Sequence, residues 1–79
     1  MPKESAYFKL NSEVAYHDAK ELKRGLDAFG GVISVSVNLQ KSSLAVDYDN
    51  TDVSAGQLAE CIETLGYRID RQKIEGHIM

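Results

Sequence analysis

Val32-Ile33-Ser34-Val35-Ser36-Val37-Asn38-Leu39, Gln40-Lys41-Ser42-Ser43 and Leu44-Ala45-Val46-Asp47-Tyr48 form the stretch that decides the fold. Ile33, Val35, Val37 and Leu39 share one side of an extended chain, and Ser34, Ser36 and Asn38 share the other. Leu44, Val46 and Tyr48 then alternate with Ala45 and Asp47, and the polar residues between the two runs suit a short turn. Two half-buried strands joined in this way are a β-hairpin. A hairpin with one apolar face needs a second layer to cover it, and its flanks supply that layer.

Upstream, Gly30-Gly31 closes a segment of different period. Ala15, Ala19, Leu22, Leu26 and Phe29 recur at helical spacing, with Asp18, Lys20, Glu21, Lys23, Arg24 and Asp27 on the other sides. This is an amphipathic helix of roughly four turns ending at a glycine cap. Asn11 and Ser12 precede it as candidate caps. Further back, Ala6, Phe8 and Leu10 alternate with Tyr7 and Lys9 as a first strand, while residues 1–5 read as frayed. Downstream, Asp49-Asn50-Thr51-Asp52 is a loop, and Ser54-Ala55-Gly56-Gln57 is a capping box with Val53 and Leu58 placed as a hydrophobic staple. Leu58, Cys61, Ile62 and Leu65 form the stripe of a second helix, which Gly66 ends. Tyr67 to Asp70 reads as the last strand; residues 72–79 show no period and read as a mobile tail on a 6–71 core.

The order strand, helix, strand, strand, helix, strand interleaves two right-handed βαβ units. The expected fold is an α+β ferredoxin-like βαββαβ plait, a four-stranded antiparallel sheet with two helices on one face. Leu22, Leu26, Val35, Val37, Val46, Leu58, Ile62 and Leu65 should be buried together, leaving Tyr7, Lys9, Ser34, Ser36 and Asn38 facing water.

A chain of 79 residues has room for a single domain, and a large enclosed active site is not expected in it. Nine Lys and Arg against twelve Asp and Glu give a net charge of −3, which argues against a general nucleic-acid-binding surface. One cysteine closes no intramolecular disulfide, and no apolar run is long enough to span a membrane. Met1-Pro2-Lys3-Glu4-Ser5 carries no signal-peptide character, so a soluble cytoplasmic domain is expected. Gly30-Gly31 follows a helix rather than opening one, unlike a phosphate-binding loop. No Ser-His-Asp set, paired-carboxylate cleft or zinc-protease spacing appears, so the chain is not read as an enzyme.

Gly31-Val32, then Val35, Val37 and Leu39, then Val46-Asp47-Tyr48-Asp49, then Leu58, Ile62 and Gly66-Tyr67 together resemble the heavy-metal-associated domain, from about Ala6 to Arg71. That family includes small copper chaperones and N-terminal domains of metal-transporting P-type ATPases. The resemblance implies a Met-Thr/Ser-Cys-x-x-Cys loop between first strand and first helix, where two thiolates hold a soft cation such as Cu(I). Counting back from Gly31 puts the two cysteine positions on Ala15 and Asp18, within Glu13-Val14-Ala15-Tyr16-His17-Asp18. His17 falls on the histidine of the Cys-x-His-Cys form found in some bacterial members. Glu13 stands where relatives place a methionine packed beneath the loop. The implied reading is a copper-chaperone-type scaffold whose thiolate site is lost. It would serve as a non-catalytic interaction or regulatory module in metal handling, without a resident cofactor. Its partner would be a metal-transporting ATPase or related domain, and the chain itself a monomer or weak homodimer.

Other assignments compete. His17 and Asp18 offer an imidazole and a carboxylate for a borderline or hard ion (Zn, Ni or Cu(II)), but that is two of the usual three or four ligands. Asp18 also suits a helix N-terminus on electrostatic grounds alone. Tyr16 and Tyr67 suggest an aromatic spot for a partner, although Tyr67 equally suits closing the core after Gly66. Lys20, Lys23 and Arg24 form a basic cluster for docking, but Glu21 and Asp27 interleave as on a solvated helix. Cys61 sits on an apolar stripe and reads as core packing. His77 and Met79 belong to the tail. An ACT-like small-molecule sensor shares the plait, but the Gly31-Val32 and Gly66-Tyr67 pairs fit the metal family better.

Overall fold

The hairpin forms with one irregularity. In the computed structural model, which describes residues 3–77, the elements run β1 (Lys3–Leu10), α1 (Tyr16–Asp27), β2 (Val32–Asn38), β3 (Ser43–Asp49), α2 (Ala55–Thr64) and β4 (Ile69–His77). In the β2–β3 ladder Val35 lies opposite Val46 and Val37 opposite Leu44. The register shifts between Val32 and Ser34, which leaves Ile33 as the extra residue of a bulge and 58% exposed. β2 stops at Asn38 because its side-chain oxygen accepts the Lys41 N–H (3.1 Å) and starts the turn, so Leu39 is exposed in the turn rather than on the strand's apolar face.

The sheet order β2-β3-β1-β4 is that of the antiparallel βαββαβ plait. Ala6, Phe8, Leu10, Val35, Leu44, Val46 and Tyr48 fill one face and pack with Leu22 and Leu26 of α1 and Leu58 and Ile62 of α2. Burying several such side chains, each contributing roughly 1.5–3 kcal/mol, fixes which way every strand faces. Tyr48 is fully buried, and its hydroxyl donates to Glu4 Oε1 across the β1–β3 ladder (2.7 Å). Burial, then that bond, raises its phenol well above the ordinary range.

The chain departs from expectation at both ends. β1 starts at Lys3, and Ser5 is buried, its hydroxyl donating to Asp47 on β3. The supposed tail is strand as far as His77: β4 pairs with β1 from Leu10↔Ile69 to Lys3↔His77. Its alternation was invisible because Arg71, Lys73 and Glu75 sit on one side and only Ile74, itself exposed, is apolar on the other. Backbone pairing with a long neighbour, not a buried face, makes this edge strand. The reading of His77 and Met79 as tail ligands falls on side chains outside the described residues.

Two more core assignments change. Val37 is half-buried, and Leu65 is exposed as the C-cap of α2, which ends at Thr64. Gly31, rather than Gly30, takes the left-handed conformation (φ 102°). A Cβ there would lie 2.6 Å from Asp52 Cβ, where the Gly31 carbonyl accepts the Asp49 N–H (2.7 Å).

Candidate functional site

The loop between β1 and α1 is held where it leaves the strand. The Leu10 N–H donates to the Ser42 carbonyl in the hairpin turn (2.8 Å), and the Asn11 N–H to the Arg68 carbonyl just before β4 (2.9 Å). Beyond those anchors Val14 is buried and Glu13 exposed, so the side chain beneath the loop comes from Val14, one position after the one where relatives place a methionine. The apolar character of Val14 after the polar run Asn11-Ser12-Glu13 was the available signal. Neither Asn11 nor Ser12 caps the helix. Ala15 does, with extended backbone (φ −84°, ψ 168°) and its carbonyl accepting the Ala19 N–H (3.0 Å).

Ala15 has no side-chain oxygen, so only half of a capping box exists. Asp18, three residues on, turns its carboxylate back to accept the Ala15 N–H (3.1 Å). The Tyr67 phenol lies close enough to this carboxylate for each to shift the other's titration. Tyr67 is aimed there by the end of α2: the Tyr67 N–H donates to the Ile62 carbonyl (3.3 Å) and the Gly66 N–H to the Glu63 carbonyl (3.0 Å), with Gly66 at φ 104°. This is a Schellman cap, and Tyr67 occupies the position that packs back on the helix.

The electrostatics follow the bonds. The Ala15 N–H and then the Tyr67 hydroxyl hold the Asp18 carboxyl below its ordinary range. Burial, then the neighbouring Asp18 and the charge of Glu21, push the Tyr67 phenol up to about 12. The loop is therefore latched by an ionised carboxylate on a backbone amide, with a neutral phenol beside it.

The sequence candidates separate around this latch. His17 is mostly exposed, with Nε2 3.3 Å from Asp18 Oδ1. Among the described residues no group of three or more His, Cys, Asp or Glu side chains is placed to hold a metal ion. Tyr16 is 68% exposed, and the Lys20 ammonium lies 5.2 Å from its ring centroid, a cation–π contact. Tyr16 thus engages Lys20 while Tyr67 engages Asp18. Lys23 and Arg24 continue the exposed side of α1. Cys61 is half-buried rather than buried, its thiol pKa raised by burial, in a hollow of about 380 Å³ beside Phe29 and Leu65. A Cβ on Gly25 would meet Leu65 Cδ1 at 3.1 Å and Cys61 Sγ at 3.7 Å, so this hollow marks where α1 and α2 approach. No described helix is long and apolar enough to cross a membrane.

The family model for the heavy-metal-associated domain matches residues 17–68. The chain is 38% identical over 53 residues to the copper chaperone CopZ of Staphylococcus haemolyticus (strain JCSC1435), covering 67% of this chain and 78% of that protein. Among solved structures, the CopZ metallochaperone superposes with a TM-score of 0.78 at 26% identity, covering 82% of this chain and 97% of the other. The water-soluble region of the P-type ATPase CopA from Bacillus subtilis gives a TM-score of 0.79 at 25% identity, over 85% of this chain and 44% of that one. The chain belongs to the heavy-metal-associated domain family.

Proposed function

We propose that this domain keeps the copper-chaperone scaffold but not its soft-metal site, and acts as a non-catalytic docking or regulatory module in cytoplasmic metal handling. One observation carries the reading. Counted back from Gly31, the positions that pair thiolates in the family fall on Ala15, whose side chain has no donor atom, and Asp18, a hard oxygen donor already bonded to the Ala15 N–H. Soft Cu(I) prefers thiolate. Cys61 lies on a different helix, half-buried against Leu65 and Phe29.

The docking surface in this reading is the start of α1, where exposed Tyr16, Lys20, Lys23 and Arg24 adjoin the latched loop. The partner is an acidic surface on a metal-transporting ATPase or a related domain. Support comes from the likeness to a domain of the CopA ATPase as well as to the CopZ chaperone, two proteins of one fold. Chemical-shift titration of the labelled chain with the soluble domains of a copper-translocating ATPase tests it. Shifts confined to Tyr16–Arg24 and the Glu13–Ala15 loop are expected, weakened by Lys20→Glu plus Arg24→Glu. No shifts, or shifts unchanged by charge reversal, would remove this surface. A titration with Zn(II), Ni(II) or Cu(II) monitored at His17 tests the hard-metal alternative, which gains its case only if Asp18→Asn abolishes binding.

A further inference from the structure

The sheet face turned away from the helices is polar, and its register sorts the charges. Asn38, Ser43, Lys9 and Arg71 form one row across the strands, Ser36, Ala45, Tyr7 and Lys73 the next, and Ser34, Asp47, Ser5 and Glu75 the third. The first two rows carry three cations and no carboxylate. Lys41 in the adjoining turn adds a fourth, and its backbone carbonyl accepts a hydrogen bond from the Lys9 ammonium (2.8 Å). In a chain of net charge −3, four of the nine Lys and Arg residues thus gather around one hollow of about 650 Å³. Carboxylates begin only at the third row. Asp47 there accepts hydrogen bonds from the Ser5 and Ser34 hydroxyls, and Glu75 lies 3.5 Å from the Lys73 ammonium.

Tyr7 stands in the middle of this hollow, on the central strand β1 and 40% exposed, with the small Ala45 beside it on β3. A phenol ring with a methyl group as its neighbour is a platform for a flat ring, and the cations around it suit phosphate oxygens. We propose that this end of the sheet binds a mononucleotide, its base stacked on Tyr7 over Ala45 and its phosphates among Lys9, Lys41, Arg71 and Lys73. The compact ligand follows from the layout. Tyr7 is the one exposed aromatic side chain in these three rows, whereas single strands need successive stacking platforms. A strand running along β1 would also meet Asp47 and Glu75 two residues further on. The hollow has the volume of small-ligand sites. This inference is independent of the metal loop, which lies at the start of α1.

The test uses the isotopically labelled full chain at low salt, titrated with ATP, with inorganic tripolyphosphate and with an eight-residue oligothymidylate. Saturable ATP shifts are expected at Tyr7, Ala45, Arg71 and Lys73 and not at Tyr16–Asp18. Arg71→Ala plus Lys73→Ala should weaken ATP by roughly tenfold or more, the loss of two charge-assisted contacts. Tyr7→Leu should weaken ATP by about fivefold or more while leaving tripolyphosphate unchanged. All three side chains are exposed, so both variants should keep the wild-type circular dichroism. The absence of saturable shifts at millimolar ATP would overturn the proposal. Equal binding of tripolyphosphate and ATP with Tyr7→Leu unaffected would overturn the stacked base, and tighter binding of the oligonucleotide would overturn the mononucleotide.

Discussion

The two helices begin in different ways, though each follows a strand across the same sheet. α2 starts at Ser54, whose hydroxyl accepts the Gln57 N–H (3.2 Å) while the Gln57 side chain accepts the Ser54 N–H (2.9 Å), with buried Val53 and Leu58 on either side. α1 starts at Ala15, where only the returning half exists, through Asp18, and the Tyr67 phenol from beyond α2 stands near that carboxylate. One start is closed by two reciprocal bonds between neighbours in sequence; the other has one such bond and a tertiary neighbour. The second is the position that counting back from Gly31 assigns to the proposed lost metal site, and a carboxylate hydrogen-bonded to the Ala15 N–H closes it here.

The largest effect that would break this contrast is in the α2 staple. Leu58 is fully buried, so Leu58→Ala should cost about 2–5 kcal/mol in a denaturant melt. A cost below about 0.5 kcal/mol would deny that the apolar residue after the cap anchors this start. Next is Ser54→Ala, which should cost about 1 kcal/mol through loss of the cap. The reciprocal change sharpens the comparison. Ala15 already has the extended backbone of an N-cap, so Ala15→Ser should complete the box with Asp18 and stabilise by roughly 0.5–1 kcal/mol. If it destabilises instead, the start of α1 is not an ordinary cap with one oxygen missing.

This difference also explains how much was readable in advance. The α2 box, its staple and Gly66 all lie within about a dozen residues, and local spacing identified them. Ala15 and Asp18 were placed as the family positions by counting from Gly31, and His17 and Tyr16 with them. The approach of Tyr67 to Asp18 was out of reach, because it depends on how the Schellman turn aims a side chain from another element. β4 beyond Asp70 failed for the same reason: Arg71 to Glu75 are all exposed, and only pairing with β1 makes them a strand. Leu65 was misplaced in the core and Ile33 on the apolar face of its strand by pattern alone, since a helix end and a bulge each interrupt the period.

The smallest expected effects concern protonation of the latch. The Tyr67 phenol is raised, so its contribution is fully present below about pH 10, the ordinary phenol value, and lost as pH rises through about 12. The Asp18 carboxyl is lowered, so its contribution is present above the ordinary carboxylate value of about 4 and lost as pH falls through the folded value. Melting temperatures against pH should fall more steeply above pH 10 for wild type than for Tyr67→Phe, and more steeply in acid for wild type than for Asp18→Asn. Parallel curves in both ranges would show that the interaction of this phenol and carboxylate contributes nothing to folding.

The most direct test of the lost soft-metal site is a Cu(I) competition titration against bathocuproine disulfonate, with wild type beside Ala15→Cys plus Asp18→Cys, under anaerobic reducing conditions. An N-cap and a third helical residue, held by the Leu10, Asn11 and Val14 anchors, set two side chains at the start of α1, and thiolates there supply the softness that Ala15 and Asp18 lack. The expected result is that wild type retains no Cu(I), with or without Cys61→Ser, while the double variant retains one ion per chain. Stoichiometric retention by wild type, or a folded double variant that binds none, would contradict it.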